Sequence, residues 1–254
     1  MPDKWNPELY ERFQSQRSRP FYDLVDMVHR QENLRVLDLG SGTGKLTKYL
    51  HDTLAAQETL GIDASENMLQ KARQYEGNGL RFEQGKIEDN PGEGEFDLIF
   101  SNAALQWLTG HEALFEKLRR KLRPGGQLAI QIPTMDDEPV HQLALETAKD
   151  FSQELGEYVR RLEVLTPVNY AKLLYKLGFM KQEVKLQIYG HVLPSRESVV
   201  EWYRGTLLTA YESRLDTQTY ERFVERYREK LFDKFEDEQP FFFPYKRILM
   251  WGRV

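Results

Sequence analysis

Residues 36–44 constrain the fold of this 254-residue chain more than any other stretch. Their sequence, Val-Leu-Asp-Leu-Gly-Ser-Gly-Thr-Gly, is an apolar run that leads through an acidic residue into three glycines at alternate positions. Residues at helical spacing follow from Lys45, so the stretch predicts a strand, a tight turn and a helix. We expect the backbone N–H groups at the helix start to face outward beside the turn, and glycine has no Cβ to keep a ligand from the backbone. The stretch therefore predicts a site for a nucleotide-like cofactor.

The spacing of the glycines separates the candidate cofactors. The dinucleotide motif G-x-G-x-x-G fits Gly40 and Gly42, but Lys45 occupies the position of its third glycine. The phosphate-binding motif G-x-x-x-x-G-K-[ST] fails at two positions. Leu39 stands at the position of its first glycine, and Leu46 stands at the position of its magnesium-binding serine or threonine. Neither an NAD site nor a P-loop is therefore favoured.

A second acidic residue ends the next apolar run, Thr-Leu-Gly-Ile-Asp at residues 59–63. Asp63 lies close to the roughly 20 residues past a glycine turn at which an acid binds ribose in nucleotide-binding folds. The alternative is that Asp63 only begins the helix predicted over residues 65–75. Ser65 is the better N-cap and Glu66 already serves the first turn, so we expect Asp63 to bind the ribose hydroxyls.

Strands and helices alternate along the rest of the chain in the order of an α/β fold. We predict a doubly wound, mostly parallel, seven-stranded, Rossmann-like sheet. Its strands are predicted at residues 35–39, 59–63, 80–83, 96–101, 127–132, 181–193 and 247–254, and its clearest helices at 44–54, 65–75 and 111–122.

Two segments lie outside this repeating unit. The first 30 residues predict a short helix and then a second helix opened by Pro20, and we expect them to cover the cofactor. Residues 195–238, called the cap below, predict helices inserted between the last two strands. Two roles remain open for the cap: it could form a lid over the cofactor cleft, or it could pack on the edge of the sheet. We divide the chain into N-terminal helices (1–30), cofactor-binding core (31–135), helical connection (136–180) and final strands with the cap (181–254).

The composition excludes several classes of partner. A net charge of −5 and a pI near 5.7 argue against a nucleic-acid substrate, whose phosphates call for a basic face. The chain has no cysteine, and its five histidines lack metal-ligand spacing, so we expect no metal. Neither a signal core nor a run of about 20 apolar residues occurs, which predicts a cytoplasmic protein without membrane spans. The sequence predicts no oligomeric state.

The pattern Asp38-x-Gly40-x-Gly42-x-Gly44 resembles motif I of the class I S-adenosylmethionine-dependent methyltransferases. Further pairs along nearly the whole chain resemble the trans-aconitate methyltransferase family: Trp5-Asn6-Pro7, Arg17-Ser18-Arg19-Pro20, Ser101-Asn102, Gln106-Trp107, Ile132-Pro133, Glu138-Pro139-x-His141, Leu193-Pro194-Ser195 and Glu201-Trp202. The loop with the Ser-Asn and Gln-Trp pairs also resembles the corresponding loop of the malonyl-carrier-protein methyltransferases and of the juvenile-hormone-acid methyltransferases. The resemblance thus implies a carboxylate substrate.

This resemblance also implies a set of residues that bind S-adenosylmethionine, with S-adenosylhomocysteine as the product. The glycine turn passes under the methionine moiety, Asp63 binds ribose, Ile87 lies against adenine, and Asn102 lines the methyl-transfer site. Lys86 stands where the family holds an acid for the adenine amino group, so that contact is in doubt, although Glu88 could reach it. The complete predicted set is Arg17, Asp38, Gly40, Ser41, Gly42, Gly44, Asp63, Ala64, Met68, Ile87 and Asn102.

A carboxylic acid is already ionised at neutral pH, so its oxygen can attack a sulfonium methyl group without a general base. We therefore predict no catalytic acid or base, only positioning by Asn102 and Trp107. The substrate-binding candidates are Arg19, Gln106, Trp107, His141, Arg196, Trp202 and Arg204, with Lys246 as a further cation. Each candidate also has an alternative role that involves no substrate. The arginines could form ion pairs on the surface, and the aromatic residues could pack in the core. A different acid, a phenol, an amine or a non-catalytic cofactor-binding protein also stays open.

Overall fold

The computed structural model describes residues 14–89, 95–135, 137–156, 158 and 163–254, with the side chains of residues 14–17 excepted. One seven-stranded sheet has the order β3-β2-β1-β4-β5-β7-β6. The strands are β1 Arg35–Leu39, β2 Glu58–Asp63, β3 Leu80–Gln84, β4 Phe96–Asn102, β5 Leu122–Pro133, β6 Lys181–Leu193 and β7 Phe241–Arg253. Strands β1 to β5 run parallel, whereas β7 is antiparallel to both of its neighbours. This topology confirms the predicted fold class.

Helices cover both faces of the sheet, as the buried strands require. They are α1 Gln14–Val25, α2 Lys45–Leu54, α3 Glu66–Ala72, α4 His111–Arg120, α5 Pro139–Asp150, α6 Ser152–Leu155, α7 Pro167–Lys176, α8 Glu197–Arg204, α9 Thr209–Glu212 and α10 Thr217–Lys234. Alternate residues of β1 point to opposite layers: Val36 packs with Phe21 and Leu24 of α1, and Leu37 packs with Phe115 of α4. None of the helices in the described ranges is long and apolar enough to cross a membrane.

Two strands are longer than predicted. Strand β5 begins at Leu122 rather than 127, with a register irregularity between the pairs that Phe96 and Leu98 make. Strand β7 begins at Phe241 rather than 247 and pairs with all of β6, which has the predicted bounds 181–193. Its first residues alternate between buried and exposed, which is the period of a strand with one face covered.

The first helix differs from the prediction. Pro20 does not open a second helix but lies inside α1, and residues 1–13, with the first part of the predicted short helix, lie outside the described part. A proline inside a helix removes one backbone hydrogen bond and strains the preceding turn. The buried contacts of Phe21 and Leu24 with Phe100 and its neighbours offset that cost. Helix α1 therefore crosses the face of the sheet on which Phe100 lies.

The cap consists of helices α8, α9 and α10, which join β6 to β7. Helix α10 packs against α5, and the aromatic residues of the cap form a core with the start of β7. The predicted apolar positions of the cap are buried there, apart from the half-buried Phe235: Val199, Val200, Trp202, Tyr203, Leu207, Leu208, Tyr220, Phe223, Tyr227 and Leu231. The division of the chain into four functional segments stays a prediction.

Candidate active site

The glycine turn lies at the carboxyl end of β1 and is tied to the end of β2. The backbone N–H groups of Gly40 and Ser41 donate to the carbonyl oxygen of Ile62 at 2.8 and 3.0 Å, and that of Gly44 donates to Ser41 at 3.1 Å. The Gly42 N–H donates to Asp63 Oδ2 at 2.8 Å. The fold itself therefore uses these N–H groups of the turn, and the outward orientation expected of the N–H groups at the helix start stays a prediction. The turn is not built as a phosphate cradle, which agrees with the failed P-loop pattern.

Gly40 and Gly42 are glycines for different reasons. A Cβ on Gly40 would lie 2.3 Å from the Cβ of Ala104, so the loop after β4 can approach only a glycine. A Cβ on Gly42, whose φ is +56°, would meet nothing within 4 Å. Gly42 therefore borders open space on the crevice side of the turn, where a ligand would contact its backbone. Gly44 precedes α2 as its N-cap.

Asp63 is half-buried at the end of β2 and holds two backbone donors. In addition to the bond from Gly42, its Oδ1 accepts a hydrogen bond from the N–H of Ser65 at 2.9 Å. Ser65 is the N-cap of α3, as predicted, because its Oγ accepts from Met68 N at 3.2 Å. A carboxylate has about four lone-pair positions, and these two bonds orient the Asp63 carboxylate at the end of β2.

Asp38 is buried beneath the same turn. Its Oδ2 accepts a hydrogen bond from the Thr47 hydroxyl at 2.6 Å. Burial raises the pKa of Asp38 to about 7; the Thr47 hydrogen bond opposes that shift, and the nearby charge of Asp63 adds to it. The two carboxylates thus lie close together at the glycine turn, and a nearby positive charge would favour the ionised form of Asp38.

The residues predicted around ribose and adenine line the ends of β2 and β3. Met68 is buried in α3, whereas Ala64 is exposed and its carbonyl oxygen accepts from Gln84 Nε2 at 3.2 Å. Ile87 begins a 3₁₀ turn, Ile87–Asp89, and is half-buried against the core. Lys86 is exposed next to it. The structure thus places an apolar side chain, and no buried acid, at the predicted adenine position.

The loop after β4 brings several polar atoms to the same edge of the sheet. Ser101 Oγ donates to the carbonyl oxygen of Leu39 at 2.8 Å, which fixes the end of β4 beside β1. Asn102 Oδ1 and Gln106 Oε1 are buried, and neither has a hydrogen-bond partner among the described residues. Gln106 Nε2 donates to Ala103 O at 2.7 Å, and Ala103 has a φ of +54°, which is a strained conformation for a residue with a Cβ. Trp107, half-buried, ends the 3₁₀ turn Leu105–Trp107.

The arginines predicted to bind substrate contact other parts of the protein. Arg196 donates from Nη1 to the carbonyl oxygens of Phe232 and Phe235 at 2.9 and 2.6 Å, and so binds the end of α10. Arg204 forms an ion pair with Glu221 of α10. Both arginines therefore stabilise the cap.

The remaining predicted cations also have partners or lie outside the description. Arg19 is 74% exposed and forms an ion pair with Asp23 at 3.3 Å. Lys246 forms ion pairs with Asp137 and Glu138 at 2.5 and 2.7 Å. The backbone of Arg17 lies in α1, but its side chain is outside the described part of the structure.

His141 and Trp202 lie at the interface of the cap with the sheet. The ring of His141 meets that of Tyr203 edge-on at 5.4 Å. Trp202 is buried between His191 and Tyr245, with ring centroids at 5.3 and 5.4 Å. Core packing is thus the role that the contacts of Trp202 indicate.

Sequence reasoning missed two buried polar residues on the sheet face that carries Asn102. Gln131 of β5 pairs in register with Asn102, and Arg247 of β7 lies on the same face and is 3% exposed. Arg247 Nη1 donates to Gln131 Oε1 at 3.3 Å. The sequence carries a signal for Arg247. It lies two residues before Leu249 and four before Trp251, so this charged residue shares the strand face of two buried apolar residues.

Comparison with known proteins gives relatives over nearly the whole chain. A family model described as a methyltransferase domain matches residues 30–184. The trans-aconitate 2-methyltransferase of Deinococcus radiodurans is 41% identical, with 96% of each chain covered. The enzyme of the same name from Acidovorax ebreus is 35% identical over 89% of this chain and 88% of its own. The solved YcgJ protein of Bacillus subtilis shares the fold, with a TM-score of 0.61 at 18% identity over 92% of this chain and 97% of its own.

Proposed function

Because this chain belongs to the trans-aconitate methyltransferase family, we propose that it forms a methyl ester on a carboxylate of trans-aconitate. The protein is an S-adenosylmethionine-dependent methyltransferase. When bound, S-adenosylmethionine supplies a methyl group activated by the positive charge of its sulfonium. The products are the ester and S-adenosylhomocysteine.

The residues of the crevice fit this cofactor. S-adenosylmethionine carries an ammonium and a sulfonium charge, and the buried Asp38 together with Asp63 provides the negative potential that such a cation requires. The open space beside Gly42 admits the methionine portion against the turn, and the half-buried carboxylate of Asp63 at the end of β2 is an acceptor that suits ribose hydroxyls. Met68 and Ile87 offer apolar contacts to the adenine ring. The pair of carboxylates at one glycine turn is the observation that carries this assignment.

The acceptor side of the proposal rests on the loop after β4. Asn102, Gln106 and Trp107 are half-buried there, and the Nδ2 group of the Asn102 amide is the donor for an ionised carboxylate, because amide oxygens only accept hydrogen bonds. An ionised carboxylate needs alignment and partial desolvation rather than deprotonation, so these side chains position it without acid–base chemistry. Arg17 of α1 is the predicted partner of the cofactor carboxylate, because a guanidinium can bind a carboxylate through two parallel hydrogen bonds.

The direct test is methyl transfer by the purified protein to a panel of small di- and tricarboxylic acids, with the products mapped by mass spectrometry. With saturating cofactor, we expect one methyl ester of trans-aconitate and a rate that is flat with pH above about 6, where the acid is fully ionised. Transfer to a phenol or an amine, with a rate that rises as the nucleophile loses its proton, would contradict the substrate class. Binding of the cofactor without transfer to any acid would favour a non-catalytic protein. The lack of a nucleic-acid partner and the cytoplasmic location stay predictions.

A further inference from the structure

His111 is a buried histidine whose ring joins three parts of the fold. It is the first residue of helix α4 and is 2% exposed. Its Nε2 lies 3.0 Å from the carbonyl oxygen of Leu105 and 3.2 Å from that of Leu108. Its Nδ1 lies 2.6 Å from the hydroxyl oxygen of Tyr170 in α7. One imidazole thus connects α4, α7 and the loop after β4.

These partners determine which ring nitrogen carries the proton. A carbonyl oxygen only accepts hydrogen bonds, so Nε2 is protonated and donates to Leu105 and Leu108. Nδ1 is then the acceptor, and the Tyr170 hydroxyl donates to it. Burial lowers the pKa of His111, although the two carbonyl bonds oppose that shift, so the ring is neutral at physiological pH. With both nitrogens bonded, the ring has one orientation, and Tyr170 helps to fix it.

The two carbonyl groups that accept from the ring flank the predicted acceptor residues Gln106 and Trp107. The loop leaves β4 through Ala103, whose φ of +54° is a strained conformation for a residue with a Cβ. Such a backbone persists only where the surrounding structure holds it in place. The hydrogen bonds from His111 are contacts of this kind, and they come from outside the loop.

The same loop also contacts the glycine turn at which the cofactor is expected to bind. A Cβ on Gly40 would lie 2.3 Å from the Cβ of Ala104, which shows how closely the loop approaches the turn. The loop thus meets the glycine turn at Ala104 and the ring of His111 at Leu105. A shift of the loop would move the acceptor residues relative to the methyl donor, and a displacement of ~1 Å can cost on the order of 100-fold in rate.

We propose that His111 is a positioning residue for methyl transfer, which holds Gln106 and Trp107 in the arrangement that receives the acceptor. The inference rests on the proposed function, because that function places the acceptor against this loop. His111 acts through the backbone of the loop, since its ring nitrogens are bonded to the loop carbonyl groups and to Tyr170.

The chain offers a matched control in His51, a second buried histidine with the same kinds of partners. His51 is 6% exposed, its Nδ1 lies 2.8 Å from Thr59 Oγ1, and its Nε2 lies 3.1 Å from the carbonyl oxygen of Asn78. Thr59 lies near the start of β2, whereas the glycine turn follows the end of the parallel strand β1. A variant of His51 therefore measures the loss of a buried imidazole away from the loop after β4.

The test compares His111→Asn, His111→Gln and His51→Asn. Asparagine keeps a polar group near the former Nδ1 but does not reach the loop, whereas glutamine brings an amide donor close to the former Nε2. Methyl transfer to trans-aconitate is normalised to the concentration of S-adenosylhomocysteine-binding sites, so that unfolded protein does not count. We expect His111→Asn to raise the KM for trans-aconitate and to lower kcat/KM by about 10- to 100-fold. His111→Gln should restore most of this loss, and His51→Asn should keep the KM of the wild type.

A purely structural role would give different results. An unchanged KM in a folded His111→Asn protein would overturn the proposal, and so would an equal rise of KM in His51→Asn. An equal loss in a folded His111→Gln protein would also overturn it, because the donor to the loop would then not be the cause. Tyr170→Phe covers the case in which His111→Asn does not fold, since it removes only the hydroxyl that orients the ring. We expect a smaller rise in KM for this variant, and no rise would contradict the proposal.

Failure of the proposed function would be seen separately. The backbone N–H groups of Trp107 and Leu108 donate within the loop at 3.3 and 3.0 Å, and their hydrogen exchange reports on the loop without any substrate. We expect faster exchange in His111→Asn and unchanged exchange in His51→Asn. A wild-type protein that methylates no carboxylic acid, with this exchange pattern in the variants, would refute the function and leave the hold of His111 on the loop standing. Normal exchange and turnover in His111→Asn, beside an active wild type, would refute the inference and leave the function standing.

Discussion

The Asp63 carboxylate accepts a hydrogen bond from the backbone N–H of Gly42 at 2.8 Å, although the two residues are 21 positions apart in the chain. One carboxylate oxygen thus fixes the glycine turn of β1, and the other fixes the start of α3 through Ser65. Because the same group is predicted to bind ribose, the cofactor would contact an acid that already holds both elements in place.

Replacing Asp63 should therefore weaken cofactor binding. We expect Asp63→Ala to weaken the binding free energy of S-adenosylhomocysteine by about 1–3 kcal/mol, the scale for hydrogen bonds to a charged group. Calorimetry measures the change. Asp63→Asn keeps one acceptor oxygen and should lose less. An unchanged dissociation constant in the alanine variant would remove the ribose assignment.

Asp38 should make both stability and cofactor binding depend on pH. Its folded pKa of about 7 exceeds the ordinary 3.8, so between these values the folded protein holds a proton that the unfolded chain has released. The contribution of Asp38 to the free energy of unfolding therefore falls as the pH rises from about 4 to 7, and it levels off above 7. Urea denaturation of the wild type and Asp38→Asn across this range would measure the difference.

A cationic cofactor should reverse the preference of Asp38 for its proton. The ionised carboxylate attracts the positive charges of S-adenosylmethionine, so we expect its affinity to rise as the pH increases through about 7. The rise should be absent in Asp38→Asn. Equal pH profiles for the two proteins would show that Asp38 does not interact with the charge of the cofactor.

Substitutions at Gly40 and Gly42 should have opposite outcomes. Alanine at Gly40 would place its Cβ 2.3 Å from that of Ala104, so we expect Gly40→Ala to lower the melting temperature markedly. Gly42→Val enters open space, costs about 1–3 kcal/mol for a positive φ, and should abolish cofactor binding in a protein that still folds. Normal cofactor binding by a folded Gly42→Val protein would mean that the ligand does not lie on this turn.

Arg196 should act on the stability of the cap. Arg196→Ala removes hydrogen bonds to the carbonyl oxygens of Phe232 and Phe235, and we expect a loss of about 1–3 kcal/mol in the free energy of unfolding. The KM for the acceptor should change less than twofold. A large rise in KM without loss of stability would return Arg196 to the substrate site.

The cofactor half of the protein was more predictable than the acceptor half for a physical reason. The glycine turn and Asp63 belong to short contiguous patterns in which local backbone geometry dictates the residue type. The partners of Arg196, by contrast, lie 36 and 39 residues away, so only the packing of the cap reveals that they occupy its guanidinium.

Tertiary contacts explain the other differences between the prediction and the structure. Pro20 suggested a helix start, but the tertiary contacts of α1 override that local preference. The contact of Arg247 with Gln131 could not be predicted, because the two residues lie 116 positions apart and meet only through the pairing of β5 with β7.

The last pairing of β6 with β7 joins Leu193 to Phe241, the two residues that enclose residues 194–240. The whole insertion thus leaves and re-enters the sheet at one point, and the 13-residue strands align whatever its length. Exchange of these helices between relatives should therefore leave the pairing of β6 with β7 and the glycine turn of β1 intact.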